Sequence, residues 1–350
     1  MDRQKMISMA DRVYRDVAGA MATGLAYLGA ATGLFHAMEG KGPLTLAGVV
    51  AASGLQARYV EEWLAGMVCA GYLDYDADAR TYTLPDEHAY LLCSEGTDHY
   101  MAGMFGMAPP LLAQAPRLVA AFRAGGGVPF GDFAPECRYA IDVMNRGNYA
   151  QRLVDYWLAQ LPAVTTRLAQ GGRVLDVGCG HGHAALALAK GFPASEVVGV
   201  DPDAASIAEA EAAARAAGAG NLRFVRAFLD GIPEQPGFDL VTICDSLHDL
   251  PDPVAVLKQV RARLAADGVL FVIELKVSDR LEENVSPLGA MFYGFSVFHC
   301  MTQSLAHGGA GLGACMGPAK TLALFEQAGF ARAEPLPIKS PTNLFYAVYP

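Results

Sequence analysis

The stretch from Gly172 to Asp201 constrains the fold of this chain more than any other. An apolar run that ends at Val177 predicts a buried parallel strand, and three glycines follow it at every second position. An alanine-rich helix then begins at His183, and a second apolar strand ends in Asp201. This order of strand, glycine turn, helix, strand and acid is typical of the nucleotide-binding half of a doubly wound sheet.

The glycine spacing and the acid before it indicate which nucleotide binds. Dinucleotide sites use G-x-G-x-x-G, in which backbone amides hold a pyrophosphate, whereas this turn reads G-x-G-x-G and follows Asp176. A carboxylate at that place opposes a pyrophosphate and suits a ligand that carries an ammonium group. Because Asp201 is placed to accept hydrogen bonds from ribose hydroxyls, the pattern predicts S-adenosylmethionine (SAM) as the cofactor.

Composition limits the other possibilities. With 350 residues, 53% hydrophobic and 18% charged, the chain is expected to form a globular protein of two or more domains. A net charge of −10 opposes binding to nucleic acid or to an anionic membrane. The seven cysteines have no metal-ligand spacing, which predicts reduced thiols, no metal and a cytoplasmic location. The uncharged residues 17–35 are mostly Ala, Gly and Thr, so we expect no membrane span there.

Three regions are expected. Residues 1–98 predict a helical winged-helix cap that also makes a homodimer, residues 99–170 a helical connector, and residues 171–350 the cofactor-binding domain. The cap carries seven Lys and Arg against thirteen Asp and Glu, and Glu61 and Glu62 follow Arg58 on the helix that would enter DNA. A helix that faces phosphates should be basic, so DNA recognition is not expected.

The connector is where we look first for substrate contacts, because it joins a cap to a nucleotide-binding domain. Its residues 138–149 combine polar and aromatic side chains, and a solvated helix face is the competing interpretation. In the later insertion, residues 276–317, one histidine lies in an apolar and aromatic segment, where a core helix is the alternative. The predicted substrate-binding residues are Tyr139, Asn145, Arg146, Tyr149 and His299.

The motifs resemble those of a known family. VLDVGCGHG and VVGVD are similar to motif I and the following acid of class I SAM-dependent methyltransferases, and FRAGGGVPFGDF, MNRGNY, DSLHDLPDPVAVL and SLAHGGAGLG to further segments of its bacterial winged-helix members. That group includes small-molecule O- and S-methyltransferases, among them the 4-methylthio-2-hydroxybutyrate S-methyltransferase of dimethylsulfoniopropionate synthesis. The resemblance covers nearly the whole chain.

The resemblance implies an α/β fold: a class I methyltransferase Rossmann-like sheet of seven strands, one of them an antiparallel edge strand, behind a winged-helix domain. It also implies a set of cofactor contacts around SAM and its product S-adenosylhomocysteine (SAH). Phe228 departs from the family pattern, in which an acid commonly receives the adenine amino group, so either Phe228 stacks on adenine or Asp230 substitutes. The implied contacts are Asp176, Gly178, Cys179, Gly180, Asp201, Pro202, Ala227, Phe228, Leu229, Asp245 and Ser246.

The same resemblance places a catalytic base at His248, although a histidine that only packs or caps a helix is an equal alternative. Asp249 could orient the ring. An oxygen acceptor would need such a base, whereas a thioether acceptor would not, and Arg146 would then hold the carboxylate of a small hydroxy acid. Transfer to nitrogen or carbon, and a non-catalytic regulator that senses SAM, remain open alternatives.

Overall fold

The computed structural model describes residues 1–232 and 236–350 of the chain. Internal contacts divide it into two compact units. The N-terminal unit comprises Met1–Pro110 and Tyr139–Gly147, and the C-terminal unit comprises Leu111–Arg138 and Asn148–Pro350. The connector predicted from the sequence is therefore shared between the two units.

The N-terminal unit is helical, with a small antiparallel sheet in the order β1-β3-β2. The hairpin of β2 and β3 is the predicted wing. The elements from the start of the chain are α1 (Arg3–Ala31), α2 (Leu34–Met38), β1 (Leu44–Thr45), α3 (Leu46–Ser53), α4 (Ala57–Cys69), β2 (Asp74–Asp76), β3 (Thr81–Thr83), α5 (Asp86–Leu92) and α6 (Gly103–Leu112). The next helix, α7 (Ala115–Ala124), belongs to the C-terminal unit, and α8 (Pro135–Asn148) contributes Tyr139–Gly147 to the N-terminal unit.

The core of this unit forms around α4. The predicted apolar face of α4 is buried, including Val60, Leu64 and Met67. The Trp63 indole N–H donates to the carbonyl of Leu25 at 2.8 Å, so the polar atom of a buried ring is satisfied. The winged-helix domain predicted from the sequence is therefore present as a packed unit with its own core.

The C-terminal unit is a three-layer α/β structure around a long sheet. Two π-helical segments interrupt its helices, at Tyr149–Trp157 and Ser296–Cys300. The remaining elements are α9 (Pro162–Gly171), β4 (Arg173–Val177), α10 (His183–Gly191), β5 (Glu196–Asp201), α11 (Ala204–Ala217), β6 (Leu222–Arg226), β7 (Phe238–Cys244), α12 (Pro253–Arg263), β8 (Leu264–Leu275), α13 (Pro287–Phe295), α14 (Met301–Ala306), α15 (Gly317–Gln327), β9 (Arg332–Pro335) and β10 (Asn343–Tyr349).

The strands that the structure describes form a seven-stranded sheet in the order β6-β5-β4-β7-β8-β10-β9, which confirms the predicted fold class. The strands β4 to β8 run parallel to one another, and apolar clusters cover both faces of the sheet. The helix caps follow the sequence. The Asp203 side chain accepts from the N–H of Ser206 at the start of α11, and Gly218 ends that helix with a positive φ.

Two details of the sheet differ from the sequence prediction. The predicted antiparallel edge strand is wrong, because β10 runs antiparallel between β8 and β9, and β9 takes the edge. The helix that was expected to close near Gly268 ends at Arg263, and β8 begins at Leu264, which pairs with Phe238. A side chain at Gly268 would lie 2.6 Å from the Phe238 carbonyl, so this glycine permits the close approach of β7 and β8.

Among the described residues, no helix is both long and apolar enough to span a membrane.

Candidate functional site

The predicted cofactor-binding residues come together at the carboxyl ends of β4, β5, β6 and β7. The strands β5 and β6 lie on one side of β4, and the chain then crosses to β7 on the other side. The strand order therefore reverses at β4. Doubly wound sheets bind their ligands at this switch point, because the loops after the strands separate there and leave a crevice. The sequence-predicted residues of this group follow these four strands in order.

The glycine turn after β4 has the backbone that its sequence requires. Gly178 and Gly180 have φ values of 69° and 50°, which favour glycine. A side chain at Gly178 would also lie 2.9 Å from the Ser246 hydroxyl. The neighbouring strand β5 fixes the turn, because the N–H groups of Gly178 and Cys179 both donate to the Val200 carbonyl. The turn therefore presents a narrow, preformed surface of bare backbone.

Asp201 at the end of β5 is held by the backbone. Its Oδ2 accepts from the N–H of Gly180 at 3.0 Å, and its Oδ1 accepts from the N–H of Asp203 at 2.8 Å. Burial raises the pKa of this carboxyl, and the two N–H donors oppose the rise. A carboxylate fixed in this way can accept two further hydrogen bonds, which is what the vicinal hydroxyls of a ribose donate.

Asp176, inside β4, has one oxygen without a partner. Thr242 donates to its Oδ1 at 2.6 Å, whereas Oδ2 is buried and has no hydrogen bond of normal geometry among the described residues. Burial raises the pKa of Asp176 to about 7. An unpaired buried acceptor is costly, and a ligand ammonium would satisfy it. The residues present therefore fit the aminoacyl end of SAM.

Asp245, directly after β7, is in a strained conformation. Its φ of 51° is rare outside glycine, and its backbone N–H donates to the Ile273 carbonyl at 3.0 Å. Its Oδ1 accepts from the amide of Asn343 at 2.9 Å, and burial raises its pKa to about 7. Asn343 was not predicted from the sequence. The antiparallel β10 brings it beside the parallel strands, and nothing local in the sequence signals this contact.

The adenine side is the least enclosed part of the group. After β6, Ala227 is partly buried and Leu229 is buried, whereas Phe228 keeps 71% of its surface exposed. Asp230 lies in the short turn after Phe228 and is exposed. An exposed aromatic ring between two anchored neighbours is available to stack on a flat ligand. Pro202, after Asp201, is exposed as well.

His248 is buried and held by a carboxylate that the sequence analysis missed. Its Nδ1 lies 2.6 Å from Oε2 of Glu274 on β8, and its backbone N–H donates to the other oxygen of Glu274 at 3.3 Å. Glu274 follows an apolar run in β8, which gives no local sign of a partner. Its pairing with His248 depends on the register of β8 beside β7. An ionised Glu274 fixes the proton of His248 on Nδ1 and leaves Nε2 as a proton acceptor.

Asp249 and Cys300 lie on the Nε2 side of His248. The Nε2 is 3.4 Å from Oδ1 of Asp249, too weakly aligned for a hydrogen bond, and Sγ of Cys300 lies within 4.8 Å of ligand atoms of both side chains. Burial lowers the pKa of His248, but the charges of Glu274 and Asp249 raise it more, so its pKa is well above the usual value. The ring orientation assigned to Asp249 from the sequence is performed by Glu274.

The predicted substrate-binding residues do not form one group. Arg146 bonds to Glu95 and, at 3.3 Å, to Asp142, and the Tyr139 hydroxyl donates to Glu95 at 3.3 Å, all within the N-terminal unit. Asn145 is on the same helix and is partly buried. In the C-terminal unit, Tyr149 packs edge-on against Trp157, with ring centroids 6.3 Å apart. His299 is buried in the second π-helical segment of that unit.

Two sets of three side chains bring possible metal-ligand atoms within 4.8 Å of one another among the described residues. One is His36, Glu39 and Cys93, in which the two exposed members form an ordinary ion pair at 3.1 Å. The other is His248, Asp249 and Cys300, of which His248 is already hydrogen bonded to Glu274. These distances alone do not assign a metal to either set. That no metal is required stays a prediction.

Comparisons with known proteins give the same two-part organisation. Residues 175–270 match a family model described as a methyltransferase domain, and residues 9–94 match one described as an Rv2258c-like winged HTH domain. A ubiquinone biosynthesis O-methyltransferase of Paracidovorax citrulli is 37% identical over 101 residues, which are 28% of this chain and 41% of that protein. The chain thus spans less than half the length of the curated relatives that it matches.

Solved structures resemble the chain over its full length. Mitomycin 7-O-methyltransferase MmcR aligns with a TM-score of 0.69 at 16% identity, covering 100% of both chains. Human N-acetylserotonin methyltransferase in complex with SAM aligns with a TM-score of 0.65 at 21% identity, covering 100% of this chain and 98% of that one. At these identities the likeness establishes the fold.

Proposed function

We propose, from the premise that this chain is a winged-helix member of the class I methyltransferases, that it transfers the methyl group of SAM to an oxygen of a small molecule. The observation that carries the choice of oxygen is the buried pair of His248 and Glu274, joined at 2.6 Å. An oxygen acceptor has a proton to lose, and this pair provides a positioned group to accept it.

In this proposal the residues of the glycine turn hold the cofactor. Asp176 pairs with the ammonium group, the turn backbone passes along the aminoacyl chain, and Asp201 accepts the ribose hydroxyls. Phe228 stacks on adenine, and Asp245 and Ser246 line the place of the sulfonium. When bound, SAM supplies a methyl group that is already activated toward displacement, so the protein has to align the acceptor and exclude water.

The chain's own chemistry is the movement of one proton. Nε2 of His248 takes the proton of the acceptor hydroxyl as the oxygen attacks the methyl carbon in line. The resulting imidazolium is stabilised by Glu274, which keeps its own negative charge and the orientation of the ring. Asp249, 3.4 Å from Nε2, adds to that stabilisation. Since both charges favour the protonated ring, the base works best above the usual pKa of histidine.

The S-methylation alternative is less well supported. A small thioether hydroxy acid needs no base, but its carboxylate needs a cation, and the predicted cation is Arg146. The guanidinium of Arg146 is bonded to Glu95 and Asp142. The carboxylate of the substrate would have to replace those two partners. The alternative of a non-catalytic regulator that senses SAM and binds DNA is opposed by the charge of α4, since Arg58 is paired with Glu61 and Glu62.

We also propose that the protein is a homodimer joined through α1. Along this helix Ile7, Tyr14, Met21 and Leu28 recur every seven residues, and all four side chains are exposed, Tyr14 by 76%. A row of large apolar side chains on one helix face is a surface that a second helix can cover. The same helix in a second copy presents a matching row.

The test of the activity begins with binding. Calorimetric titration with SAH should give one site per chain, and Asp201→Ala should weaken it at least tenfold. Methyl transfer from labelled SAM to a panel of phenols should then fall by about 10²-fold or more in His248→Ala. His307→Ala, at an exposed histidine in the same unit, is the matched control and should keep full activity. Absence of SAH binding would refute the proposal.

A further inference from the structure

His299 carries a polar atom that the fold leaves without a partner. Its imidazole lies in the π-helical segment Ser296–Cys300, its side chain is buried, and its Nε2 has no hydrogen-bond partner among the described residues. A buried unpaired donor or acceptor is rare in native proteins because it forfeits its hydrogen bonds to water. π-helical segments are themselves uncommon and often occur at functional sites.

The surroundings of the ring define which nitrogen carries the proton. A donor faces Nδ1, namely the amide Nε2 of Gln303 at 3.4 Å, and Sγ of Cys300 lies 3.8 Å from the same nitrogen. With the Gln303 amide donating to Nδ1, that nitrogen acts as an acceptor, and the proton of the neutral ring lies on Nε2. The unpaired atom is then a hydrogen-bond donor.

The ring also remains neutral. Burial lowers the pKa of His299, and the positive charge of protonated His248 lowers it further, while Asp249 acts in the opposite direction. The two histidines of this region therefore differ in kind. His248 is paired with carboxylates and can take a proton, whereas no carboxylate of the described residues hydrogen bonds to His299, which offers a fixed N–H.

The neighbours of His299 define the shape of the ligand that it can bind. Phe133 packs against the imidazole with centroids 5.0 Å apart, and Phe130 lies edge-on at 6.0 Å. Cys300 lies between His299 and the proposed base, since its Sγ is 3.8 Å from Nδ1 of His299 and within 4.8 Å of ligand atoms of His248 and Asp249. The imidazole of His299 is thus flanked by aromatic rings and is one side chain away from the proposed base.

We infer that His299 is a specificity-determining residue whose Nε2–H donates to an oxygen of the methyl acceptor other than the oxygen that is methylated. The acceptor class is a hydroxyaryl compound with a second, hydrogen-bond-accepting oxygen such as a carbonyl. The aromatic ring lies against Phe130 and Phe133, the hydroxyl gives its proton to His248, and the second oxygen accepts from His299. The role of His248 in this inference rests on the proposed function. The tautomer of His299 is independent of that function.

The first test reads the tautomer directly. In full-length protein labelled with ¹⁵N-histidine, long-range proton–nitrogen correlation spectra distinguish the two neutral tautomers and the charged ring, and comparison with His299→Gln identifies the signals. We expect a neutral His299 with its proton on Nε2 throughout the neutral pH range. A proton on Nδ1, or a charged ring, would overturn the inference whether or not the protein transfers methyl groups.

The second test reads the acceptor class in the SAH-loaded protein. The probes are the ortho, meta and para isomers of hydroxyacetophenone, each compared with the ethylphenol that lacks only the carbonyl oxygen. We expect at least one ketone to bind about tenfold more tightly than its ethylphenol, the difference that one neutral hydrogen bond supplies. His299→Leu should abolish the preference, and His299→Gln, which keeps a donor near the Nε2 position, should retain part of it.

The outcomes separate the two proposals. Equal binding of every ketone and its ethylphenol, no binding of any probe, or an unchanged preference in His299→Leu would each overturn the role of His299. Failure of the native protein to bind SAH would instead overturn the proposed methyl transfer. Thermal unfolding and SAH affinity of the His299 variants show whether a lost preference comes from a lost fold.

Discussion

Replacing Glu274 with glutamine tests the proposed chemistry at the contact between Glu274 and His248. The substitution preserves size and removes the charge that lies 2.6 Å from Nδ1 of His248. A glutamine amide can donate to Nδ1, which places the ring proton on Nε2 and removes the acceptor that the reaction needs. The buried strand position, 2% exposed, leaves little room for water to take the place of the carboxylate.

The expected loss depends on the contribution of this pair to the rate. General base catalysis by a positioned side chain is worth about 10²- to 10⁴-fold, or about 3–5 kcal/mol of the barrier, and Glu274→Gln should lose most of it. The pKa of His248 is held up by the charge of Glu274, so the acidic limb of the residual kcat/KM profile should move to lower pH. In the native protein that limb should lie above the usual histidine value, because only the neutral ring accepts a proton.

The measurement is kcat/KM for the best phenolic acceptor as a function of pH, with SAH affinity as the check on folding. Glu283→Gln, at an exposed carboxylate of the same unit, is the control and should change neither quantity. A Glu274→Gln enzyme that binds SAH normally and keeps kcat/KM within threefold of the native value would refute the proposed base. It would favour an acceptor, such as a thioether, that has no proton to lose.

Other perturbations have equally definite outcomes. Because the pKa of Asp176 is raised to about 7, its pairing with the SAM ammonium should release protons near pH 6, and the release should fall as the pH rises through 7. Titration in buffers of different ionisation enthalpy measures this release, and Asp176→Asn should abolish it. Gly182→Ala would place a methyl 2.4 Å from Phe224 at a φ of 76°, so thermal unfolding should show a loss of about 1–3 kcal/mol, and an unchanged midpoint would contradict that packing. Met21→Glu should convert the dimer to a monomer in sedimentation analysis; a native protein that is already monomeric would refute the α1 interface.

The grouping of the proposed cofactor-binding residues could be predicted because its information is local. The glycines of the turn, Asp176 and Asp201 are close in sequence, and their spacing alone implies a strand, a turn and a helix N-terminus. The order of caps and strands through β7 could be predicted for the same reason. Phe228 could likewise be identified, from its sequence position alone, as a departure from the family pattern.

The contacts of the proposed catalytic base could not be predicted in this way, because they cross between strands distant in sequence. Glu274 reads as one acid in an apolar strand, and only the register of β8 brings it to His248. Asn343 reaches Asp245 because β10 inserts between β8 and β9, an order that no local pattern specifies. The prediction that Arg146 binds a substrate carboxylate rests on its positive charge, and the sequence does not indicate that Glu95 and Asp142 already bind it.

The π-helical segment that carries His299 makes this part of the chain sensitive to length as well as to composition. A π-helical turn is equivalent to an α-helix with one residue inserted. Deleting a single residue from Ser296–Cys300 would restore α-helical spacing, while turning the helix after the deletion by about 100° relative to the helix before it. A scan of one-residue deletions should therefore find variants here that fold and bind SAH yet have changed their choice of acceptor. Among homologues, we expect a one-residue insertion or deletion at this point to accompany a change of substrate more often than a point substitution does.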